Sequence, residues 1–185
     1  MLDFSKIHWS YIILSIPLLI AIYTDLRKNK IYNWLTIPTL LLGLIFAFVK
    51  GGYWGLLDGF VGFFFAFLIG FVLYIPKALK GGDVKLISAI GAWVGYTMIL
   101  NTILWIFLCG GAVSIFYIII RGTFFKTMQK VIIFFLPFVV KGMKPIYEVT
   151  DPTNQYVPYG IAISIGTFLS LLYPDLLVNF NQFGN

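Results

Sequence analysis

The chain alternates between long apolar runs and short polar breaks, and the breaks carry most of its charge. Runs at residues 7–23, 34–49, 56–75, 83–94, 98–120 and 156–172 read as six helices crossing a bilayer, the fourth of them short. Pro17 falls inside the first run and predicts a kink. Asn33 is placed to N-cap the second, with Pro38 in its first turns. Lys50-Gly51-Gly52 and Gly95-Tyr96-Thr97 read as tight turns. Pro76 and Lys77 end the third run, and a basic loop leads on to Gly82. Residues 131–140 are apolar but too few to cross a bilayer, and Pro137 breaks them, so an interfacial or re-entrant piece is expected there. The expected fold is an all-α membrane protein of six transmembrane helices, in one domain covering residues 1–185.

Composition agrees with this pattern. Of the 185 residues 60% are hydrophobic and 11% charged, with a mean hydropathy of +0.94. The first run is followed by Asp25-Leu26-Arg27-Lys28 rather than a small-residue cleavage site, so it reads as a span and not as a signal peptide. Six spans put both termini on one side. One face then carries Arg27, Lys28, Lys30, Lys77, Lys80, Lys85, Arg121, Lys126, Lys130, Lys141 and Lys144, and the other only Lys6 and Lys50. That asymmetry predicts that the first face is cytoplasmic and both termini external. The net charge of +6 is accounted for in the same way, with the lipid bilayer as a partner and nucleic acid excluded.

The scarce reactive residues narrow the chemistry. Cys109 is the sole cysteine and His8 the sole histidine. An internal disulfide, a cysteine-ligated zinc, a paired-histidine zinc site and any Ser/His/Asp or Cys/His arrangement are all excluded. Carboxylates, lysines and hydroxyls remain, and no metal or organic cofactor is expected. Carboxylates in an apolar chain are costly. Asp25 ends the first run and Asp83 opens the fourth, so the topology puts both at the cytoplasmic edge. Asp58 enters the third run from the opposite side, most of a membrane thickness away, and is a poor partner for either. Each of the pair also has a structural reading: Asp83 as a helix N-cap, Asp25 as an interfacial residue paired with Arg27 or Lys28. A carboxylate at a helix C-terminus opposes the dipole, however, and such local conflicts mark function. That position also suits Asp25 to hold a shared proton. Two carboxylates that share a proton are the working part of an aspartic protease.

Lys80-Gly81-Gly82-Asp83-Val84-Lys85-Leu86 resembles the Gly-x-Gly-Asp-x-Lys signature of type IV prepilin peptidases and archaeal preflagellin peptidases. Asp25, Arg27 and the stretch Ile31-Tyr32-Asn33-Trp34-Leu35-Thr36 resemble that family's Asp…Ile-Pro-Asn-x-Leu-Thr region. Val157-Pro158-Tyr159-Gly160 resembles its late Pro-Tyr/Phe-Gly segment. Lys80 stands where the first motif glycine is usual and Tyr32 where proline is usual; Lys80 could alter loop shape or substrate preference. The resemblance is to the short, peptidase-only branch, without the paired Cys-x-x-Cys that accompanies N-methylation, and implies no methyltransferase activity.

The resemblance implies an aspartic endopeptidase in the cytoplasmic membrane, with its site on the cytoplasmic side. Asp25 and Asp83 would be the catalytic pair acting through a water. Its substrates would be pilin-like precursors bearing a short class III-type leader. Gly81, Gly82, Lys85, Asn33, Thr36, Pro158 and Gly160 would shape the site. Glu148 and Asp151 are candidates for contacts with a basic leader, though an ordinary solvated loop reads equally from the same residues. A presenilin or signal-peptide-peptidase type of intramembrane protease is the alternative enzyme; its two aspartates lie deeper, on adjacent later spans. A transporter, proton channel or scaffold is the non-enzymatic alternative. Oligomeric state is not readable from the sequence.

Overall fold

The computed structural model describes residues 9–75, 78–122 and 158–174, with side chains from residue 12 onward and that of residue 121 excepted. Among these residues there are four helices and no strand: α1 (Trp9–Lys28), α2 (Asn33–Tyr74), α3 (Gly81–Arg121) and α4 (Tyr159–Leu172). Residues 9–110 and 158–174 belong to one compact unit, and residues 111–122, the end of α3 together with Gly122, to a second. Two of the helices, α2 and α3, are long and apolar enough to cross a membrane. The segments at 131–140, Glu148 and Asp151 lie outside the described residues.

The expected second and third runs form α2, and the fourth and fifth form α3. Each pair is divided by a single glycine rather than a loop. Gly52 (φ 59°, ψ −142°) breaks α2 and Gly95 (φ 75°, ψ 174°) breaks α3. Both have positive φ, which costs glycine little and other residues more. Each long helix therefore consists of two arms. The end of the first run differs from expectation. Helix α1 continues past Tyr23 through Asp25 to Lys28 and stops at Asn29, which adopts a left-handed φ of 51° and donates its N–H to the Asp25 carbonyl at 2.9 Å. Arg27 and Lys28 in that last turn suit the negative end of the helix dipole.

Contacts within the first unit fix the register of the arms. The first arm of α3 runs alongside the first arm of α2 in the same direction: Lys85 meets Asn33, and the Trp93 indole donates to the Thr39 carbonyl at 2.7 Å. It runs against the second arm of α2, where Tyr96 meets Asp58, Ala92 meets Gly59 and Val84 meets Gly70. Helix α4 runs against the second arm of α3, with Thr102 and Ser170 hydroxyls 3.0 Å apart, and against α1, with Ser164 donating to the Leu18 carbonyl at 3.1 Å.

These close approaches rest on small residues. Gly59, Gly62, Ala66 and Gly70 are buried along one face of α2, and a methyl group on Gly62 or Gly91 would collide with the other's backbone. Such packing stands in for the hydrophobic effect where the surroundings are themselves apolar. The outward faces fit that setting, since Trp54 is 78% exposed and Val49 75%. The core is apolar, with Leu14, Leu18, Leu86, Ile90, Ile99 and Ile163 essentially buried. The register gathers the end of α1, both ends of α2, the start of α3 and the start of α4 at one end of the unit.

Candidate active site

Asp25 and Asp83 both lie at that end, each only 1% exposed, and Lys80 reaches both. Asp83 is the third residue of α3. Its Oδ2 accepts the backbone N–H of Lys80 at 3.0 Å, while the Lys80 carbonyl accepts the first helical bond from Val84 at 3.1 Å. Lys80 thus occupies the N-cap position, and Asp83 reaches back to it as the acidic half of a capping box does. The expectation of Asp83 as the N-cap itself is corrected, because the helix begins at Gly81. A methyl group at Gly82 would lie 3.0 Å from the Ile31 carbonyl oxygen, so the bare backbone there is what lets α3 start against the α1–α2 connection.

Asp25 is held from the far side. Its Oδ2 accepts the Gly160 backbone N–H at 2.7 Å. A methyl group at Gly160 would lie 2.8 Å from that same oxygen and 2.9 Å from the Asp25 Cβ, so only glycine admits the contact. Pro158 occupies the N-cap position of α4, is buried, and adds no side-chain hydrogen bond. The other oxygen of Asp25, Oδ1, is buried and has no hydrogen-bond partner among the described residues. Buried carboxylate oxygens without a donor are uncommon, and each calls for a reason.

A cation lies near that oxygen. The Lys80 ammonium is 3.9 Å from Asp25 Oδ1 and donates to the Asn29 carbonyl at 3.3 Å. Burial holds it below the usual lysine range, against the opposing effects of Asp25 and then Asp83. The expected partners of Asp25 are otherwise occupied. Arg27 stacks on the Tyr23 ring at 5.4 Å, and Lys28 on the Tyr32 ring at 5.8 Å. The charge of Asp25 is also felt at Asp83.

The remaining expected residues take mixed positions. Asn33 is not an N-cap, because Tyr32 occupies that place without a side-chain bond. Instead its Oδ1 accepts the Lys85 ammonium at 2.8 Å, tying the start of α2 to the first turns of α3. Thr36 is 3% exposed and its hydroxyl is unpartnered among the described residues. Gly81 has room for a methyl group, its nearest neighbour being Tyr74 at 4.0 Å. Asp58 stays at the other end, accepting the Tyr96 N–H at 3.1 Å beside the Gly95 break. Among the described residues no group of three or more His, Cys, Asp or Glu side chains could hold a metal ion. Sequence reasoning missed Lys80 as a site residue, although its departure from the motif glycine was visible. It also missed the Gly160 N–H, which leaves no side-chain signal.

The sequence profile described as the type IV leader peptidase family matches residues 12–115. Over 148 residues the chain is 30% identical to the preflagellin peptidase of Methanocaldococcus jannaschii, covering 74% of this chain and 60% of that protein. It is 31% identical over 116 residues to the prepilin leader peptidase/N-methyltransferase of Pectobacterium carotovorum subsp. carotovorum, covering 59% of this chain and 41% of that protein. With the protein of the same name from Aeromonas salmonicida it shares 35% identity over 107 residues, 54% of this chain and 36% of that one. The chain therefore spans less than two thirds of each of these relatives. No solved structure matches it. The matched profile covers more than half of the chain and runs through both buried aspartates, and the chain belongs to the type IV leader peptidase family.

Proposed function

We propose that this chain is a membrane aspartic endopeptidase that trims the leader from prepilin-like or preflagellin-like precursors. The observation that carries the reading is the placement of two buried carboxylates, Asp25 and Asp83, around one lysine, Lys80, at one end of an otherwise apolar helical unit. Family membership and the names of the relatives supply the substrate class.

One carboxylate of the pair, ionised, takes a proton from a water that attacks the scissile carbonyl. The other, protonated, polarises that carbonyl and then gives its proton to the leaving amine. Carboxylates coupled in this way titrate as a pair, and the apparent values belong to both. Gly160 and Lys80 hold the two side chains through backbone N–H groups. Gly82 brings the helix start close to Ile31. Asn33 and Lys85 brace α2 against α3. Glu148 and Asp151 remain candidates for the leader.

The arms of α2 and α3, with α1 and α4, cross the bilayer as six spans and form one domain. The excess of Lys and Arg on the site end puts that end in the cytoplasm. A leader cut at the cytoplasmic membrane edge suits this placement. Neither metal nor organic cofactor takes part, and methyl transfer does not accompany cleavage.

The test is cleavage of a preflagellin-type and a prepilin-type precursor in membranes holding equal amounts of the chain, Asp25→Asn or Asp83→Asn. The intact chain should trim the leader and each single exchange should stop it. Cleavage by both variants would remove the pair from the mechanism, and silence of the intact chain on every precursor would remove the peptidase reading.

A further inference from the structure

Lys80 touches both halves of the site. Its backbone N–H reaches Asp83 at 3.0 Å, and its ammonium lies 3.9 Å from the Asp25 oxygen that no donor satisfies among the described residues. The Asn29 carbonyl, just past the end of α1, accepts from the same ammonium at 3.3 Å. Other cations nearby are turned elsewhere: Arg27 and Lys28 onto tyrosine rings, and Lys85 onto Asn33. Lys30 is exposed. Within α4 the only titratable group is the Tyr159 phenol, and α2 brings the Tyr74 phenol beside Gly81.

Resting on the peptidase reading above, we propose that Lys80 is a positioning residue of this site: one lysine seats Asp83 through its backbone, and its ammonium carries the counter-charge that holds Asp25 in place. A glycine at the same position would keep the backbone bond and leave the Asp25 oxygen without its cation. An ammonium can play this part only while protonated, and burial lowers its hold on the proton. The mechanism needs one carboxylate protonated, so activity falls on the alkaline side as the pair gives up its shared proton, and the Lys80 charge, which favours the ionised form of Asp25, should set that limb lower than the pair alone would.

The experiment compares the full chain with Lys80→Arg and Lys80→Gly in detergent or nanodiscs, with Asp25→Asn and Asp83→Asn as controls, across a pH series on one cleavable precursor. An N-cap position tolerates glycine, so Lys80→Gly should fold. Its kcat should drop roughly tenfold with KM within about twofold, the scale of one partly buried charge contact. Its alkaline limb should move upward, because the pair keeps its shared proton longer without the cation. Lys80→Arg should restore most of kcat and return the limb to that of the intact chain, since guanidinium stays charged. If Lys80→Gly loses its thermal transition, Lys80→Gln takes its place with the same expected upward shift. Unchanged kcat and an unchanged limb in Lys80→Gly, or in Lys80→Gln where that replaces it, would overturn the role of Lys80 and leave the aspartate pair standing. An intact chain that does not cleave, or an Asp25→Asn chain that does, would overturn both.

Discussion

Asp58 and Asp25 sit at opposite ends of the same helical unit and treat their carboxylates differently. Asp58 is half-buried and accepts the Tyr96 N–H on Oδ1, closing the polar gap that the Gly95 break opens in α3. Asp25 is 1% exposed, has one oxygen tied to a backbone N–H and keeps the other without a donor among the described residues. The first arrangement is a cap at a helix break. The second leaves a buried acceptor unmet among the described residues, which costs free energy unless the site uses it. A carboxylate's burial and its leftover valence, more than its place in an apolar sequence, separate a cap from a candidate reactive group.

Removing the charge at the site end should have the largest effect. Asp25→Asn and Asp83→Asn should each lower leader cleavage by about 10²–10⁴-fold, the usual contribution of a proton-transferring group, with protein levels held. Asp58→Ala should leave cleavage intact, and equal loss from all three would erase the distinction between the two ends. Next in size is Gly160→Ala. The added methyl would push Asp25 off its N–H donor, so cleavage should fall by roughly 10²-fold, the scale of about an ångström's misplacement. Full activity in that variant would mean that the Gly160 contact is incidental.

A smaller effect is expected from Asp58→Ala on stability alone. Loss of the Tyr96 cap should cost about 1 kcal/mol, read from thermal unfolding in detergent. The smallest is Asn33→Ala. Its partner Lys85 is at an exposed contact, so stability should change by a few tenths of a kcal/mol, and cleavage should fall by no more than about threefold in parallel kinetic assays.

Much of this was legible in the sequence, for reasons that differ by residue. Turn glycines between apolar runs marked the breaks at Gly52 and Gly95, because a positive φ leaves a compositional trace. Asp25 and Asp83 were expected on one side from the alternation of runs, and the register of α1 and α3 brings both to one end of the unit. The exact end of α1 did not follow, because the sequence turns polar at Thr24 while the backbone hydrogen bonds run on to Asn29. Nor did the fate of Asn33, whose side chain caps well in general but here meets a lysine 52 positions away. The Gly160 contact was invisible as an anchor because its donor is a backbone group that every residue but proline carries.

The same bond has a consequence for how the protein is made. Asp25 and the N–H that anchors it are 135 positions apart. Asp25 leaves the ribosome well before its anchor, so a nascent chain holding α1, α2 and α3 has both aspartates and no completed seat for the first. The order of synthesis thus leaves the seating of Asp25 to wait for the start of α4.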